Sequence, residues 1–275
     1  MTPGDFLPSV TIGETLARTR LIEPADAKRL LRHVLDCSAA ELAAHPERVL
    51  TQDQLLRFAG CVGQRAVGAP IAYIIGAREF YGRDFRVTPA VLIPRPETEL
   101  LVDTVLQKTA RGATPRILDL GTGSGCVAIT LALELGGAVT AVDASAEALV
   151  VARDNAQRLG APVQFLESDW FAQVDGAFDF IVGNPPYVAE GSPYLTQGDL
   201  RFEPAAALAS GNDGLTAIRR ILTDARRHLA SGGWLFLEHG YDQAEAVARL
   251  FADAGFSAIE QHRDLAGIIR VSGGR

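Results

Sequence analysis

The sequence predicts an α/β fold: a doubly wound, mainly parallel β-sheet of seven strands with an antiparallel C-terminal hairpin, preceded by a small helical bundle. From residue 116 onward, short apolar runs alternate with helical patterns, which is typical of a parallel sheet covered on both faces by helices. Up to about residue 65, the apolar residues recur at helical spacing. The length of 275 residues is sufficient for both parts.

The N-terminal part is predicted to be helical from Val10 to about Arg65. Pro24 suits the first turn of a helix that continues to Leu35, because proline lacks the N–H group that the first turn leaves unpaired. The leucine-rich stretch that follows keeps the helical period. We assign residues 1–70 to an N-terminal helical domain.

Residues 71–96 are predicted to form a linker that contains a β-hairpin. Aromatic or apolar residues lie on both sides of Gly82-Arg-Asp84, which indicates a turn. Pro96 and Glu97 then open a helix that continues to Thr109, because proline and acidic residues are favoured in the first turn. The second domain is therefore assigned to residues 97–275.

The second domain alternates strands and helices. The predicted strands are Arg116–Leu120, Ala138–Asp143, Val163–Glu167, Phe178–Val182, Gly233–Glu238, Ser257–His262 and Gly267–Val271. The predicted helices are Gly125–Leu135, Ala146–Leu159, Gly214–Leu229 and Asp242–Ala254. The last two strands are joined by a loop too short for a crossover helix, so they are expected to pair antiparallel.

Composition and charge narrow the class of protein. The net charge of -7 counts against a long nucleic-acid substrate, although a local basic patch could exist within an acidic total. The three cysteines are odd in number and widely spaced, so neither a disulfide framework nor a metal site is expected. Residues 1–5 lack the features of a signal peptide, and no apolar stretch suits a bilayer. We expect a cytoplasmic monomer without membrane attachment.

The first strand of the second domain leads into a glycine-rich turn, Asp119-Leu-Gly-Thr-Gly-Ser-Gly125, and then into a helix. Glycines allow the backbone to approach a ligand, and helix N–H groups point towards it. Asp143 ends the second strand, where a carboxylate can bind ribose hydroxyls. Asp169 and Trp170 follow the third strand, where they could flank an adenine. A nucleoside-containing cofactor is predicted, with these candidate contacts: Asp119, Gly121, Thr122, Gly123, Ser124, Gly125, Asp143, Asp169 and Trp170.

The charge beside the glycine loop indicates which cofactor is bound. A dinucleotide site uses a G-x-G-x-x-G loop that faces a pyrophosphate, whereas this loop is G-T-G-S-G with Asp119 two residues ahead of it. A carboxylate at that position would repel a pyrophosphate but suits the ammonium group of a methionine moiety. S-adenosylmethionine is therefore favoured over NAD. The antiparallel C-terminal hairpin agrees, because it is typical of Rossmann-like class I methyltransferases. Taken singly, Asp143 could instead cap a helix and Trp170 could pack in the core.

The fourth strand leads into Asn184-Pro-Pro-Tyr187, the most specific four residues of the chain. The two prolines stiffen this turn and keep Asn184 out of the helical region. The Asn184 side-chain oxygen and the Pro185 carbonyl could each accept one hydrogen of a planar NH2 group, while Tyr187 lies against its face. We predict that Asn184, Pro185 and Tyr187 are catalytic and that Pro186 joins them in binding the substrate. The alternative is a rigid turn without function. Its position at the end of the fourth strand, on the same edge of the sheet as the glycine loop, favours a role in catalysis.

The predicted chemistry is an in-line transfer of a methyl group to this nitrogen. Alignment of the reacting groups can contribute up to roughly 7–11 kcal/mol to such a step. No strong base is required, because the nitrogen proton becomes acidic only as the methyl group arrives. We therefore assign no histidine to catalysis, and we interpret His239, beside Glu238, as a loop or core residue.

These motifs resemble the release factor glutamine methyltransferases over nearly the whole chain. The most family-specific segment is Gly82–Glu99, and the other matching segments are Asp119–Gly125, Asn184–Tyr187, Arg201–Pro204 and Gly211–Leu215. The resemblance implies that the substrate is the glutamine of the Gly-Gly-Gln loop in class I peptide chain release factors, and that the reaction modulates translation termination.

The resemblance also implies which residues form the site. The cofactor would be bound by Gly121–Gly125, Asp143, Trp170 and Asn184, and the substrate glutamine by Asn184–Tyr187. The N-terminal helical domain would help to grip the release factor, without direct binding of nucleic acid. Four further residues could shape the pocket or serve only the structure, and the sequence leaves both interpretations open: Arg95, Glu97, Glu203 and Asp213.

Two alternative functions remain at this stage. An adenine-N6 DNA or RNA methyltransferase would bind the same kind of planar NH2 group, but it should carry a basic recognition domain. A binding module without catalysis would retain the fold, but the intact Asp119, glycine loop and Asn184 argue against it. A dehydrogenase is a more distant third.

Overall fold

The computed structural model describes residues 10–275, so the expectation drawn from residues 1–5 lies outside the described part. The chain forms two compact units that divide between Gly76 and Ala77. The first unit ends six residues beyond the boundary assigned from the sequence, and the hairpin of the predicted linker belongs to the second unit. None of the helices between residues 10 and 275 is long and apolar enough to cross a membrane.

The first unit is helical. Its elements are α1 (Ile12–Arg18), α2 (Pro24–Leu35), α3 (Ala39–Ala44), α4 (Gln52–Ala66) and α5 (Ile71–Ile75). Thr11, Ser38 and Thr51 begin α1, α3 and α4 with capping boxes, in which the side chains at both ends of the first turn satisfy backbone N–H groups. The predicted helix from Pro24 to Leu35 is confirmed at both ends.

The core of the first unit is formed by one apolar side of each longer helix. Leu30 and Leu31 of α2 are completely buried, and Phe58 and Val62 of α4 pack in the same cluster. The helical spacing of these residues brings them to one face, which explains why the sequence pattern predicted the bundle correctly.

The second unit opens with an antiparallel hairpin, β1 (Ala77–Phe80) and β2 (Arg83–Arg86). Its turn is Tyr81-Gly82, one residue before the predicted turn, because Phe80 and Arg83 form the last pair of the ladder. Both turn residues have positive φ angles, 52° and 71°. The unfavourable angle at Tyr81 is compensated by two hydrogen bonds, from its N–H to Glu99 at 2.8 Å and from its hydroxyl to Asp103 at 2.9 Å.

A seven-stranded sheet forms the centre of the second unit, in the order β5-β4-β3-β6-β7-β9-β8. The strands are β3 (Arg116–Leu120), β4 (Ala138–Asp143), β5 (Val163–Glu167), β6 (Phe178–Gly183), β7 (Leu229–Glu238), β8 (Glu260–Arg263) and β9 (Ile269–Gly274). β3 to β7 pair parallel, whereas β9 pairs antiparallel with both β7 and β8. The predicted fold class, including the antiparallel C-terminal hairpin, is confirmed.

Helices cover both faces of the sheet. They are α6 (Glu99–Lys108), α7 (Cys126–Leu135), α8 (Ala146–Leu159), α9 (Thr216–Ala225) and α10 (Ala244–Asp253). Ile117 of β3 packs in a cluster with α6 and α7, while its neighbour Leu118 packs in a second cluster with α9 and α10. Alternate residues of each parallel strand therefore enter different cores, as expected for a doubly wound sheet.

The C-terminal elements differ from the prediction in their bounds. The predicted helix over 214–229 is α9, which spans only 216–225 before a short 3-10 turn, and β7 begins at Leu229 rather than Gly233. The last two strands, predicted over Ser257–His262 and Gly267–Val271, span Glu260–Arg263 and Ile269–Gly274, so the last strand runs on through two glycines. A Cβ on Gly273 would overlap the ring of Phe236 on the neighbouring strand, so this glycine lets the ring pack against the backbone.

Candidate active site

The carboxyl ends of four neighbouring strands form the edge of the site. In the sheet register, Leu120 of β3 pairs with Val142 of β4 and with Gly183 of β6, and Gly183 pairs with Leu237 of β7. The next residue of each chain segment therefore stands in one row at this edge: Asp143, Gly121, Asn184 and Glu238. Open α/β sheets bind their ligands at this edge.

A cavity of about 350 Å³ opens at this row, within the second unit. That volume is in the range of small-molecule sites. It is bounded by the glycine loop on one side and by the loops after β2 and β6 on the other. Its lining residues include Ala90, Val91, Leu92, Pro94, Arg95, Thr98, Asp119, Gly121, Thr122, Gly123, Ser124, Asp143, Ser145, Ser168, Asp169, Trp170, Asn184, Pro186, Pro204, Ala206 and Ala207.

The glycine loop is held against β4 by backbone hydrogen bonds. The N–H groups of Gly121 and Thr122 both donate to the Val142 carbonyl, at 2.9 Å. Gly125 has a φ of 82°, and a Cβ there would lie 2.8 Å from a methyl group of Ile129. Glycine at this position therefore permits both the turn and the close packing of α7.

Asp143 braces the loop and also faces the cavity. One of its carboxylate oxygens accepts the Gly123 N–H and the other accepts the Ser145 N–H, each at 2.9 Å. Burial raises the pKa of Asp143, and these backbone donors oppose the shift. Each carboxylate oxygen has a second lone pair, so the side chain can still accept hydrogen bonds from two ligand hydroxyls.

Asp119 is a buried carboxyl group on the floor of the cavity, only 2% exposed. It accepts a hydrogen bond from the Thr122 hydroxyl at 2.7 Å. Burial raises the pKa of Asp119 to about 7, and the nearby charge of Asp143 adds to the shift. A ligand with a positive charge would favour the ionised form, so the position suits an ammonium group.

Trp170 and Asp169 also line the cavity, and their surroundings differ. The Trp170 ring lies against Gly121, where a Cβ would be 3.6 Å from its nearest ring carbon. Its backbone has a φ of 52°, and its carbonyl accepts the Ser168 hydroxyl at 2.8 Å. Asp169 lines the cavity but is exposed, and it forms an ion pair with Arg220 at 2.7 Å.

The Asn184–Tyr187 turn contributes to the cavity unequally. Asn184 and Pro186 line it, whereas Pro185 is buried and neither Pro185 nor Tyr187 is among its lining residues. The Asn184 side-chain Nδ2 donates to the Thr98 hydroxyl at 3.1 Å. The carbonyl of Tyr187 accepts the side-chain amide of Gln243 at 3.0 Å, which ties the turn to the loop after β7.

Behind this turn, the chain buries an acid and a histidine at the end of β7. Glu238 is 1% exposed, and burial raises its pKa to about 7. The Tyr187 hydroxyl donates to it at 3.4 Å, and burial also raises the pKa of that hydroxyl. His239 lies between the Gly240 carbonyl and the Ser272 hydroxyl, at 2.9 and 2.8 Å, so both of its ring nitrogens have structural partners.

The four residues that the sequence left open between a role in the pocket and a role in the structure differ in their positions; they are Arg95, Glu97, Glu203 and Asp213. Glu203 has a fully buried side chain, which pairs with Arg95 and accepts the Ile93 N–H at 3.0 Å. This contact joins the loop after β2 to the loop after β6 at the wall of the cavity. Asp213 is exposed and paired with Arg219, and neither it nor Glu97 lines the cavity.

Comparison with known proteins assigns the family. Residues 14–76 match the PrmC N-terminal domain, and residues 96–211 match the Methyltransferase small domain. The chain is 48% identical to the release factor glutamine methyltransferase of Burkholderia pseudomallei, over 98% of this chain and 97% of that protein. It is 47% identical to the protein of the same name from Bordetella pertussis, over 94% and 99%.

The chain belongs to the release factor glutamine methyltransferase family. Solved methyltransferases share its fold at low identity. A methyltransferase from Pyrococcus furiosus superposes with a TM-score of 0.53 at 21% identity, and covers 81% of this chain and 97% of its own. The 16S rRNA N2 G1207 methyltransferase of T. thermophilus, in complex with AdoMet and guanosine, has a TM-score of 0.54 at 20% identity, over 72% and 49%.

The fold and the family imply S-adenosylmethionine as the cofactor, and the cavity of this family member fits it. The glycine loop leaves open space beside Gly123, where a Cβ would touch nothing within 4 Å. The Ser124 hydroxyl is buried without a hydrogen-bond partner among residues 10–275. Asp143 and Asp119 supply acceptors for hydroxyl and ammonium groups at opposite parts of the loop. Within the same described range, no three His, Cys, Asp or Glu side chains gather to hold a metal ion.

Sequence reasoning missed part of the wall of this methyltransferase. Two polar residues, Thr98 and Ser168, and six apolar residues line the cavity, but no motif of charged or polar residues marks them; the apolar ones are Ala90, Val91, Leu92, Pro204, Ala206 and Ala207. They lie far apart in the chain, so only the tertiary fold brings them together. The segments 82–99 and 201–204, which carry the family resemblance, were the available signal.

Proposed function

We propose that this chain transfers a methyl group from S-adenosylmethionine to the side-chain amide nitrogen of the glutamine in the Gly-Gly-Gln motif of class I peptide chain release factors. The relatives at 43–48% identity that cover nearly the whole chain are named release factor glutamine methyltransferases, which supports a release factor glutamine as the substrate. The structural observation that supports it is the shared cavity, where the glycine loop and Asn184 meet at one edge of the sheet. The reaction would modulate translation termination.

In this proposal, the cofactor is held by the predicted residues on the glycine-loop side. Asp143 would bind the ribose hydroxyls, and the buried Asp119 would receive the ammonium group of the methionine moiety. Gly121–Gly125 would allow the close approach, and Trp170 and Asp169 would flank the adenine. The Asp169 carboxylate is paired with Arg220, which supports only a minor part for it in cofactor binding.

On the other side of the cavity, the Asn184–Tyr187 turn would hold the substrate amide. S-adenosylmethionine, when bound, supplies a methyl group on a positively charged sulfur. Asn184 Oδ1 and the Pro185 carbonyl would accept the two amide hydrogens, Pro186 would limit the pocket, and Tyr187 would lie against the planar group. This orientation would align the amide nitrogen with the methyl group, and that alignment is what these residues would contribute to the rate. The nitrogen would lose one of its two protons to solvent as the methyl group arrives and the neutral thioether departs.

Mass spectrometry of the methylated product tests the proposed activity. A release factor is incubated with the enzyme and labelled S-adenosylmethionine, and its peptides are sequenced. We expect one methyl group on the glutamine of the Gly-Gly-Gln motif. A release factor with that glutamine changed to alanine is the matched control. Label in DNA or RNA and none in the release factor would instead support an adenine-N6 methyltransferase.

We further propose a cytoplasmic monomer that binds no nucleic acid directly. The net charge of -7 is unfavourable for contacts with a phosphate backbone. The release factor substrate works in translation, which supports the cytoplasm as the compartment. Light scattering of the purified protein should give the mass of one chain.

A further inference from the structure

Glu238 is a buried acid to which the reaction described above assigns no role. It is the last residue of β7 and is 1% exposed. Its Oε2 has no hydrogen-bond partner in the described part of the chain, and its Oε1 accepts a long hydrogen bond of 3.4 Å from the Tyr187 hydroxyl. An unsatisfied buried carboxyl group lowers the stability of a fold. Glu238 is therefore costly as a structural residue.

The position of Glu238 connects it to Asn184. Gly183 and Leu237 pair in the sheet, so Asn184 and Glu238 follow at the same level of adjacent strands. Thr98, which is 3% exposed, is a neighbour of both side chains. Its hydroxyl faces the Glu238 carboxyl group, where it stabilises the charged form, and its oxygen accepts the Asn184 Nδ2 hydrogen at 3.1 Å.

The hydrogen bonds among Glu238, Thr98 and Asn184 can run in only one direction, because a threonine hydroxyl has a single proton to donate. If that proton points to the carboxylate of Glu238, the Thr98 oxygen can only accept a hydrogen bond from Asn184. The Asn184 amide must then turn its NH2 group towards Thr98 and its oxygen towards the cavity. The opposite orientation would set the amide oxygen against the Thr98 oxygen and the NH2 group against the substrate.

We propose that Thr98 and Glu238 are positioning residues that fix the side-chain amide of Asn184 with its oxygen facing the substrate nitrogen. The inference deepens the proposed function and rests on it, since an amide substrate with two hydrogens is what makes the orientation of Asn184 matter. Thr98 lines the cavity and acts by holding Asn184, and Glu238 acts on Asn184 through Thr98. Loss of either residue should therefore lower the rate of methyl transfer more than the binding of cofactor.

Substitutions at Thr98 test the hydroxyl. Thr98→Val keeps the shape but removes the proton and the acceptor, and we expect kcat to fall by about 10²-fold with the dissociation constant of S-adenosylmethionine within about threefold. Thr98→Ser restores the hydroxyl and should recover most of kcat. Thr130→Val is the matched control, because Thr130 is equally buried and its hydroxyl has no partner in the described structure. It should leave kcat unchanged.

Glu238→Leu provides a second, independent test. It removes a carboxyl group whose Oε2 is unpaired, but it also leaves the Thr98 and Tyr187 hydroxyls without their acceptor. We expect kcat to fall as in Thr98→Val, and Tyr187→Phe, which removes only the hydrogen bond from Tyr187 to Glu238, should lower kcat less. A purely structural role would instead leave the kcat of the folded fraction unchanged. Either that result, or a Thr98→Val enzyme with normal kcat, would overturn the inference. Absence of glutamine methylation by the wild-type chain would overturn the proposed function itself, so the two failures are distinguishable.

Discussion

Asn184 and Asp143 reach the same cavity from different strands, so single substitutions should separate the two halves of the reaction. Asn184→Ala removes the proposed acceptor for the substrate amide but leaves the glycine loop intact. We expect kcat for release factor methylation to fall by about 10²-fold or more, with little change in cofactor binding. Steady-state kinetics and calorimetry with S-adenosylmethionine measure the two effects.

Asp143→Ala is the complementary substitution. It removes the hydrogen bond to Gly123 and the proposed acceptor for ribose hydroxyls, so the dissociation constant of the cofactor should rise while kcat at saturation changes less. An unchanged turnover in Asn184→Ala would remove that residue from the mechanism. An unchanged cofactor affinity in Asp143→Ala would refute the ribose assignment.

The raised pKa of Asp119 predicts a pH dependence of cofactor binding. Burial raises the pKa of Asp119 from 3.8 to about 7 in the folded protein. The protonated carboxyl group therefore contributes to the free energy of unfolding at pH values below the unfolded pKa, and this contribution is lost as the pH rises through about 7. An ammonium ligand requires the ionised form. Affinity for S-adenosylmethionine should therefore weaken below about pH 7, by up to about tenfold per pH unit.

Calorimetry between pH 5.5 and 8, a range of roughly one unit or more on each side of this pKa, measures that slope. Asp119→Asn is the control, because it keeps the shape and removes the charge. It should bind the cofactor weakly at every pH and flatten the profile. Asp143 also has a raised pKa, so a slope that persists in Asp119→Asn would assign the dependence to Asp143.

At the scale of elements, the junction of β3 and α7 depends on one glycine. A Cβ on Gly125 would combine a φ of 82° with contacts of 2.8 Å to Ile129 and 3.3 Å to Ala152. The matched control is Gly160, which ends α8 with a φ of 69° and has nothing within 4 Å of an added Cβ. Gly160→Ala should cost only the backbone penalty, about 1–2 kcal/mol. Gly125→Ala should lower the free energy of unfolding by more, as urea denaturation can measure, and equal losses would contradict the packing argument.

The parallel strands were predictable because each is a short apolar run followed by a loop with a recognisable residue. β3, β4 and β5 occur at the predicted bounds. The hairpin turn and the last strand were misplaced for tertiary reasons. Tyr81 tolerates a positive φ because Glu99 and Asp103 bind it, and Gly273 extends β9 because Phe236 packs over it.

The residues of the site were likewise only partly predictable from the sequence. Asp119, Asp143 and Asn184 lie at strand ends, so their order along the chain predicts that they meet at one edge. Thr98 and the apolar residues of the cavity wall lie outside the strands and α-helices, and no local pattern marks them. Glu238 was visible in the sequence as a strand end, but its link to Asn184 depends on the register of β6 and β7.

At the scale of the whole molecule, the two compact units have separate parts in the proposed function. The cavity and every residue assigned to cofactor or substrate lie after residue 77, in a unit with its own two buried clusters. The helical unit has a separate core and carries several large apolar side chains on its surface, among them Leu21 at 76% and Leu56 at 66% exposed. None of its described residues, 10–76, lines the cavity, and we propose that it contributes to activity by binding the release factor.

A chain of residues 77–275 tests this division. It retains the complete sheet and should fold, which circular dichroism can verify, and it should bind S-adenosylmethionine within about threefold of the full chain. Its kcat/KM for an intact release factor should fall by about tenfold or more, because the additional contacts are lost. A short peptide with the Gly-Gly-Gln motif is the control substrate, since it is too small to use the helical unit and should be methylated equally by both chains. Equal kcat/KM values for the intact release factor would show that the helical unit does not grip it.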